Sequence, residues 1–383
     1  LPGTANTNYS QLAISGLGNS FLLFGPSTVE SGPYAGTYTP FQNVPDANCV
    51  ANKGVIIPQA SGERCGFYYG DRFNIVNDED HSSVYASMTT SMNGMDFEID
   101  YMNTTIDVND NPQSPSYPAL SYLSPSNAIL PGQAGNPFGV PVLWLGRALG
   151  SSFDSPHAPR EYEIDRLSMS LSGTMDNGYD WELSYTNSND ESYGRQPDTS
   201  TSRFAAAIAG TGGASGDQSW NLFDPSANSQ SLIDYISTAQ ETWMDSGLTV
   251  IDLVVTGSQN GYDFAGGFQY KEEEFDVRRS PNSIVEIDGA GNLVTPADLI
   301  FLGGGLESSD SRDSVAFFAE VAKQQSDKLE LKAALRFEDL ESESTLNPKI
   351  SARYQMSDDL VLRGSVSTSF REASLAQLSV TTV

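Results

Sequence analysis

Five pairs of alternating segments run along the chain. Within each pair the connection is a tight turn, and between pairs it is a long acidic loop rich in Gly, Pro and Ser. The pairs are predicted at 83–91/95–105, 162–173/179–187, 248–256/262–271, 314–324/328–338 and 348–356/360–370. Their turns read Asn93-Gly94, Asp176-Asn177-Gly178, Gln259-Asn260-Gly261, Gln325-Ser326-Asp327 and Ser357-Asp358-Asp359. All but the last loop, near 339–347, reach tens of residues. Few architectures need this asymmetry. A sandwich mixes loop lengths at both ends, whereas an outer-membrane barrel has short periplasmic turns and long extracellular loops.

Successive side chains on a strand point to opposite faces. In the fourth pair one face carries Leu329, Leu331, Ala333, Leu335 and Phe337, and the other Glu330, Lys332, Ala334, Arg336 and Glu338. In the fifth, Ile350, Ala352 and Tyr354 oppose Lys349, Ser351 and Arg353, and Leu360, Leu362 and Val366 share an apolar face. This period-two pattern describes a half-buried antiparallel sheet, in a barrel or a sandwich. Two features favour the barrel. The polar face holds full charges in mid-strand, as a wet lumen would. Aromatics near strand ends (Tyr101, Tyr162, Tyr179, Trp181, Tyr262, Tyr270, Phe370) suit interfacial girdles.

Composition narrows the classes. No stretch approaches the roughly 18 apolar residues of a spanning helix, and mean hydropathy is −0.32, which fits a barrel and a soluble protein equally. Net charge is −29, from 49 Asp and Glu against 20 Lys and Arg. Phosphate backbones would be repelled, so no nucleic-acid partner is expected. The acidic surface reads as solvated. Its sharper alternative is Ca²⁺ in extracellular loops, with Asp107, Asn109 and Asp110, or the run 77–80, as oxygen donors. Neither run matches a twelve-residue calcium loop. Fifteen residues lie between the two cysteines, Cys49 and Cys65, in a Gly/Pro/Asn-rich segment. They point to one disulfide in an oxidising compartment.

The long connections carry few element signals. Residues 1–81 are expected to be an extracellular loop region, ahead of a barrel domain over 82–383. Ser202–Ala209 is a short apolar run, and a short helix is predicted over 231–243, with Ser229 or Ser231 as N-cap. Loops this long are usually functional. Their aromatics Tyr117, Tyr122, Trp144 and Trp220 are candidates for stacking on a sugar or ring-bearing ligand, or for packing within the loops. The chain opens without a signal peptide and stops just after a strand, so it reads as part of a longer polypeptide.

One stretch carries a resemblance. Asn347-Pro348-Lys349-Ile350-Ser351-Ala352-Arg353-Tyr354-Gln355, a tight turn, then Leu362-Arg363-Gly364-Ser365 and Ser367-Thr368-Ser369-Phe370-Arg371 resemble the mid-barrel hairpin of TonB-dependent receptors. Glu372 and Ala373 stand where that pattern has Ala-Pro, and Ser369 where it has Gly. The cysteine-closed loop through Arg64-Cys65-Gly66-Phe67 and the block Ser219-Trp220-Asn221-Leu222-Phe223-Asp224-Pro225 are similar to further parts of the large receptors. The resemblance implies part of a transmembrane antiparallel barrel of about 22 strands. It also implies outer-membrane lipid around the barrel, a small solute ligand, and coupling to the TonB complex through a plug that nothing here matches. The expected function is energy-coupled uptake of a scarce solute such as a siderophore, cobalamin, oligosaccharide or peptide. The alternatives are a secreted or surface calcium-binding β-sandwich adhesin and an extracellular all-β hydrolase. His81 and His157 are the only histidines and lie in unrelated loops, so no catalytic triad is legible. No catalytic residue or cofactor is expected.

Overall fold

The computed structural model describes residues 16–52, 54–67, 74–112, 128–149, 153–341 and 343–379. Seven short strands come first: β1 (Gly16–Leu17), β2 (Ser20–Leu23), β3 (Ser27–Val29), β4 (Gly36–Tyr38), β5 (Asn43–Pro45), β6 (Val55–Gln59) and β7 (Gly62–Phe67). Long hairpins follow, interrupted by short pieces. They are β8/β9 (Asp78–Met92, Met95–Asp110), β10 (Val142–Leu145), β11/β12 (Arg160–Thr174, Asp180–Thr199) and β13/β14 (Ser237–Gln259, Tyr262–Arg279). After β15 (Glu286–Ile287) and β16 (Leu293–Thr295) come β17/β18 (Ser308–Ser326, Leu329–Asp339) and β19/β20 (Ser344–Ser357, Leu360–Ser367).

The five expected hairpins form one ten-stranded antiparallel sheet in the order β20-β19-β18-β17-β14-β13-β12-β11-β9-β8. Every neighbour in the sheet is the next long strand in the chain. Turn chemistry explains the tight connections. Asn93 and Gly94 have φ of 55° and 77°, and Asn260 and Gly261 have 54° and 77°. Left-handed backbone at both central positions matches the twist of the flanking strands.

The register aligns the apolar residues across the whole sheet. Leu171 faces Phe97 and Leu183, Leu183 faces Leu253, Leu253 faces Phe268, and Phe268 faces Phe317, which faces Phe337. A one-residue slip would move this row to the other side of the sheet. The opposite face runs through Glu98, Ser170, Ser184, Asp252 and Gln269. Leu331, Ile350 and Leu362 are 41%, 67% and 47% exposed, so no second protein layer covers the apolar face there. That removes the β-sandwich, whose core would bury those side chains. Among the girdle aromatics, Tyr101, Trp181, Tyr262 and Tyr270 share the apolar face through partners Leu167, Val255, Lys323 and Ile251. Tyr162 does not, because its strand parity is that of Arg166 and Ser168, on the polar face.

The long connections hold more regular structure than the sequence displays, and one expected helix is shorter. The helix predicted over 231–243 spans only Gln230–Ile236, with the Ser229 side chain accepting from the Leu232 N–H. Ser237 pairs with Thr199, and the ladder with β12 claims the residues beyond it. The run at 202–209 is a helix, Thr201–Ile208, N-capped by Ser200, with Phe204, Ala207 and Ile208 buried on one face. Residues 16–67 also form short strands. A six-stranded sheet joins β1, β7, β5, β2 and β10, with β6 beside β7. Its strands are at most six residues long, too short for periodicity to register. Strand β10 also ties residues 142–145 to the opening segment, across the expected boundary at 81/82.

No helix among the described residues is long and apolar enough to cross a membrane, which says nothing of crossing by strands.

Candidate functional site

The long connections build a packed cap with its own core. Phe21, Leu23 and Val44 from the small sheet meet Ile129, Phe138, Val142 and Trp144. The helices contribute Phe204, Ala207, Leu232 and Ile236, and the segment between them Trp220, Leu222 and Phe223. Phe21 stacks on Phe223 at 3.9 Å between centroids, while Tyr34 and Phe138 approach edge-on. Such pairs add roughly 0.5–1.5 kcal/mol each beyond the area they bury.

Several buried polar groups in the cap are hydrogen-bonded, while Trp220 Nε1 and Arg64 Nε are buried without a partner. Asn19 Oδ1 accepts from Trp144 Nε1 at 3.2 Å and from the Arg147 N–H at 2.9 Å. Asp46 is buried and accepts from the Asn48 N–H at 2.9 Å. Burial, together with the nearby Asp224, outweighs that bond and lifts the Asp46 carboxyl to about 6. Burial and the Asp46 charge likewise push the Tyr34 phenol well above its ordinary value. Its hydroxyl donates to Phe223 O at 3.1 Å and accepts from the Ala47 N–H. The cysteines are bonded, Cys49 to Cys65, with Cα atoms 5.8 Å apart.

On the polar face of the large sheet, charges are paired both across and along strands. Arg312 is 8% exposed and lies between Glu273 at 2.8 Å and Glu372 at 3.1 Å. It also donates to Ala373 O at 2.7 Å, holding the segment after β20 against β14 and β17. Glu372 is one of the two residues that depart from the receptor pattern. Arg336 bonds Glu338 at 2.7 Å and Gln269 at 2.8 Å. This arrangement offers a charged wall and a packed cap.

The sequence candidates are placed as follows. Trp144 and Trp220 are fully buried and flank Phe204, with centroids 5.6 and 6.0 Å from it. The structure brings these two together as core, with no ring face open to a ligand. Tyr117 and Tyr122 lie outside the described residues. Asp107, Asn109 and Asp110 sit at the end of β9. Asp107 faces Glu161, while Asp110 accepts from Asn74 at 3.1 Å and pairs with His157 at 3.1 Å. Asp107 and Asp110 have opposite parity and do not converge. No cluster of three or more His, Cys, Asp or Glu arranged for a metal occurs among the described residues. Sequence reasoning missed Arg312, Asn19 and the pair Asp198/Asp298, because each acts through partners 39 to 128 residues away.

Residues 100–382 match the family described as TonB dependent receptor-like, beta-barrel. No curated protein matches the chain. Among solved structures it is similar to FpvA of P. aeruginosa bound to heterologous pyoverdines, at 12% identity and TM-score 0.44, over 75% of this chain and 35% of that one. It is also similar to BauA, the ferric preacinetobactin receptor from Acinetobacter baumannii, at 11% identity and TM-score 0.40, over 76% of this chain and 40% of that one. The copper transporter OprC matches at 10% identity and TM-score 0.35, over 81% and 48%. The chain thus spans about a third to a half of the length of these structures. Sheet, alternating faces and family match converge, and the chain belongs to the TonB-dependent receptor-like β-barrels, a family of non-enzymatic transporters of the bacterial outer membrane.

Proposed function

We propose that this chain supplies part of the wall and the extracellular cap of a TonB-coupled importer of a scarce solute. The observation that carries this reading is the row of apolar side chains from Phe97 to Phe337 across seven strands of the sheet, backed by a polar and charged opposite face. Hydrocarbon tolerates only backbone whose hydrogen bonds are made within the structure, as in a closed barrel of paired strands, and here every strand of the large sheet between β8 and β20 has a neighbour on both sides. Short turns at one end and a packed cap at the other match the periplasmic and outer sides of such a barrel. In this reading residues 16–67 belong to the outer cap, with 142–145 as their partner, and the wall extends from Asp78 onward. Energy coupling through TonB and binding of a small solute follow from the family, and the solute itself is open.

The test is uptake in cells carrying the whole receptor. Deleting its gene, or tonB, should abolish growth on the same limiting nutrient among iron chelates, cobalamin, oligosaccharides and peptides. Loss of growth in the receptor mutant alone, with tonB dispensable, would contradict energy coupling.

A further inference from the structure

The apolar face of the sheet changes character along its strands. Tyr262 near the tight turns, and Tyr101, Tyr185 and Tyr270 towards the long loops, mark the two edges of its apolar belt, as interfacial aromatics do. Beyond the loop-side edge the same face turns acidic. One row there reads Asp107, Glu161, Tyr193, Trp243 and Arg278, each opposite the next. The row below it holds Glu163, Glu191 and Asp245. Tyr193 and Trp243 lie side by side, with ring centroids 5.3 Å apart and planes 31° from parallel. The Tyr193 hydroxyl donates to Glu241 Oε1 at 2.9 Å, and Arg278 donates to Asp245 at 2.9 Å. A concavity of about 460 Å³ opens over the two rings, between these carboxylates.

Two ordinary roles do not account for this pair. Tyr193 is eight residues past Tyr185 on β12. That is roughly 26 Å along the strand and about 20 Å in height at a barrel tilt of 35–45°, too far from hydrocarbon for a girdle residue. Among the described residues, neither ring joins the cap core. The strands that carry them are in mid-sheet, paired on both sides, and this face is turned away from the lumen. Neither closing strands nor a plug would cover it.

Ionised carboxylates only accept hydrogen bonds, so a partner here must bring O–H or N–H donors. The acidic rim also repels phosphate. Two adjacent ring faces favour a flat partner with an apolar side. A sugar ring meets these demands together, with C–H groups on its face and hydroxyls around its edge. In an outer membrane, the layer at this height above the acyl chains is the saccharide of the outer-leaflet glycolipid. We propose that the Tyr193–Trp243 platform docks that saccharide headgroup. One sugar ring lies against Trp243 and Tyr193, and its hydroxyls donate to Glu161, Glu163 and Glu191. The site continues the lipid-facing surface upward and concerns how the receptor is seated in its membrane. It goes beyond the importer reading and rests only on the outward assignment of this face.

The test titrates the purified whole receptor in detergent with core oligosaccharide released from the lipopolysaccharide of the producing cell. EDTA removes cation bridges, and high salt screens charge attraction. The oligosaccharide should bind under both conditions. Trp243→Ala should weaken binding about tenfold, the upper end for a stacked ring pair, and Trp243→Phe by less, with the strand signal in circular dichroism unchanged. Trp243→Ala should also weaken binding of intact lipopolysaccharide and leave binding of its lipid A portion unaltered. Failure of the oligosaccharide to bind, equal binding by Trp243→Ala, or loss of binding in EDTA or high salt overturns the proposal. So does conversion of an oligomer to a monomer by Trp243→Ala, which would mean that a second copy covers the platform. Binding in detergent needs no energised membrane, so these outcomes are independent of the tonB growth test.

Discussion

Asp198 and Asp298 each fasten the other's segment. Asp198 accepts from the backbone N–H groups of Phe301 and Leu302, at 3.1 and 2.8 Å, just beyond Asp298. Asp298 in turn accepts from the Ser202 N–H at 2.7 Å and from the hydroxyls of Ser200 and Ser202, at the start of the helix Thr201–Ile208. Two connections a hundred residues apart are thereby clasped together. Burial works against the charge on Asp298, but the Ser200 and Ser202 bonds and the nearby Arg203 outweigh it and hold the carboxyl below its usual range. Asp298→Ala should therefore release the 293–306 segment, seen as faster amide exchange there. A folded value below the unfolded one means this contribution is present near neutrality and is lost as pH falls through the folded value.

Asp46 has the opposite sign. Its folded value near 6 is above the unfolded carboxylate value of about 4. The folded cap then holds a proton that the opened cap releases, so stability falls as pH rises from about 4 to about 6. Asp46→Asn should flatten that slope. Protease sensitivity of residues 20–67, followed across this window, reads it directly, and an unchanged slope in Asp46→Asn would refute the assignment.

Phe204 fills the space between Trp144 and Trp220. Phe204→Ala should cost about 3–5 kcal/mol in cap stability, the usual range for a buried aromatic. Tryptophan emission should shift to the red as water reaches the indoles. The hairpins of the wall should keep their strand signal in circular dichroism.

Closing a loop of this size by a disulfide contributes about 3 kcal/mol in the chain-entropy treatment. Cys49→Ser should loosen the small sheet, because Cys65 is in β7, which pairs with β1, β5 and β6. Limited proteolysis should cut within 46–67 faster than in the wild type and leave the wall intact. Equal cleavage rates would show that packing alone holds the loop.

Leu253 sits mid-row between Leu183 and Phe268 on the apolar face. Leu253→Arg should destabilise the protein in bilayers by about 2–4 kcal/mol, as for a cation at the midplane. Ser184→Arg, on the opposite face, should cost far less. Equal penalties in urea titrations of liposome-embedded receptor would contradict the facial assignment.

The wall was legible because a period of two repeats over long strands. Leu329 to Phe337 and Ile350 to Tyr354 display it without any partner being known, and Asn93-Gly94 and Asn260-Gly261 mark the reversals. The cap was not legible, because its strands are two to six residues long and pair across gaps of up to 125 residues, as Ser20 with Leu145 does. Trp144 and Trp220 looked like ligand aromatics because a loop position suggests exposure. Only the tertiary packing around Phe204 reveals them as interior. The pairing of Tyr193 with Trp243 required the register, which a sequence read one strand at a time does not supply.

Strand β10 pairs with β2 although more than a hundred residues intervene, and the helix carrying Phe204 enters later still. The cap therefore has high contact order and cannot close as the polypeptide emerges. It must wait until the hairpins beneath it have brought those segments within reach. During biogenesis the outer face would remain open and vulnerable to proteases longest, with oxidation of Cys49 and Cys65 fixing one corner of it beforehand.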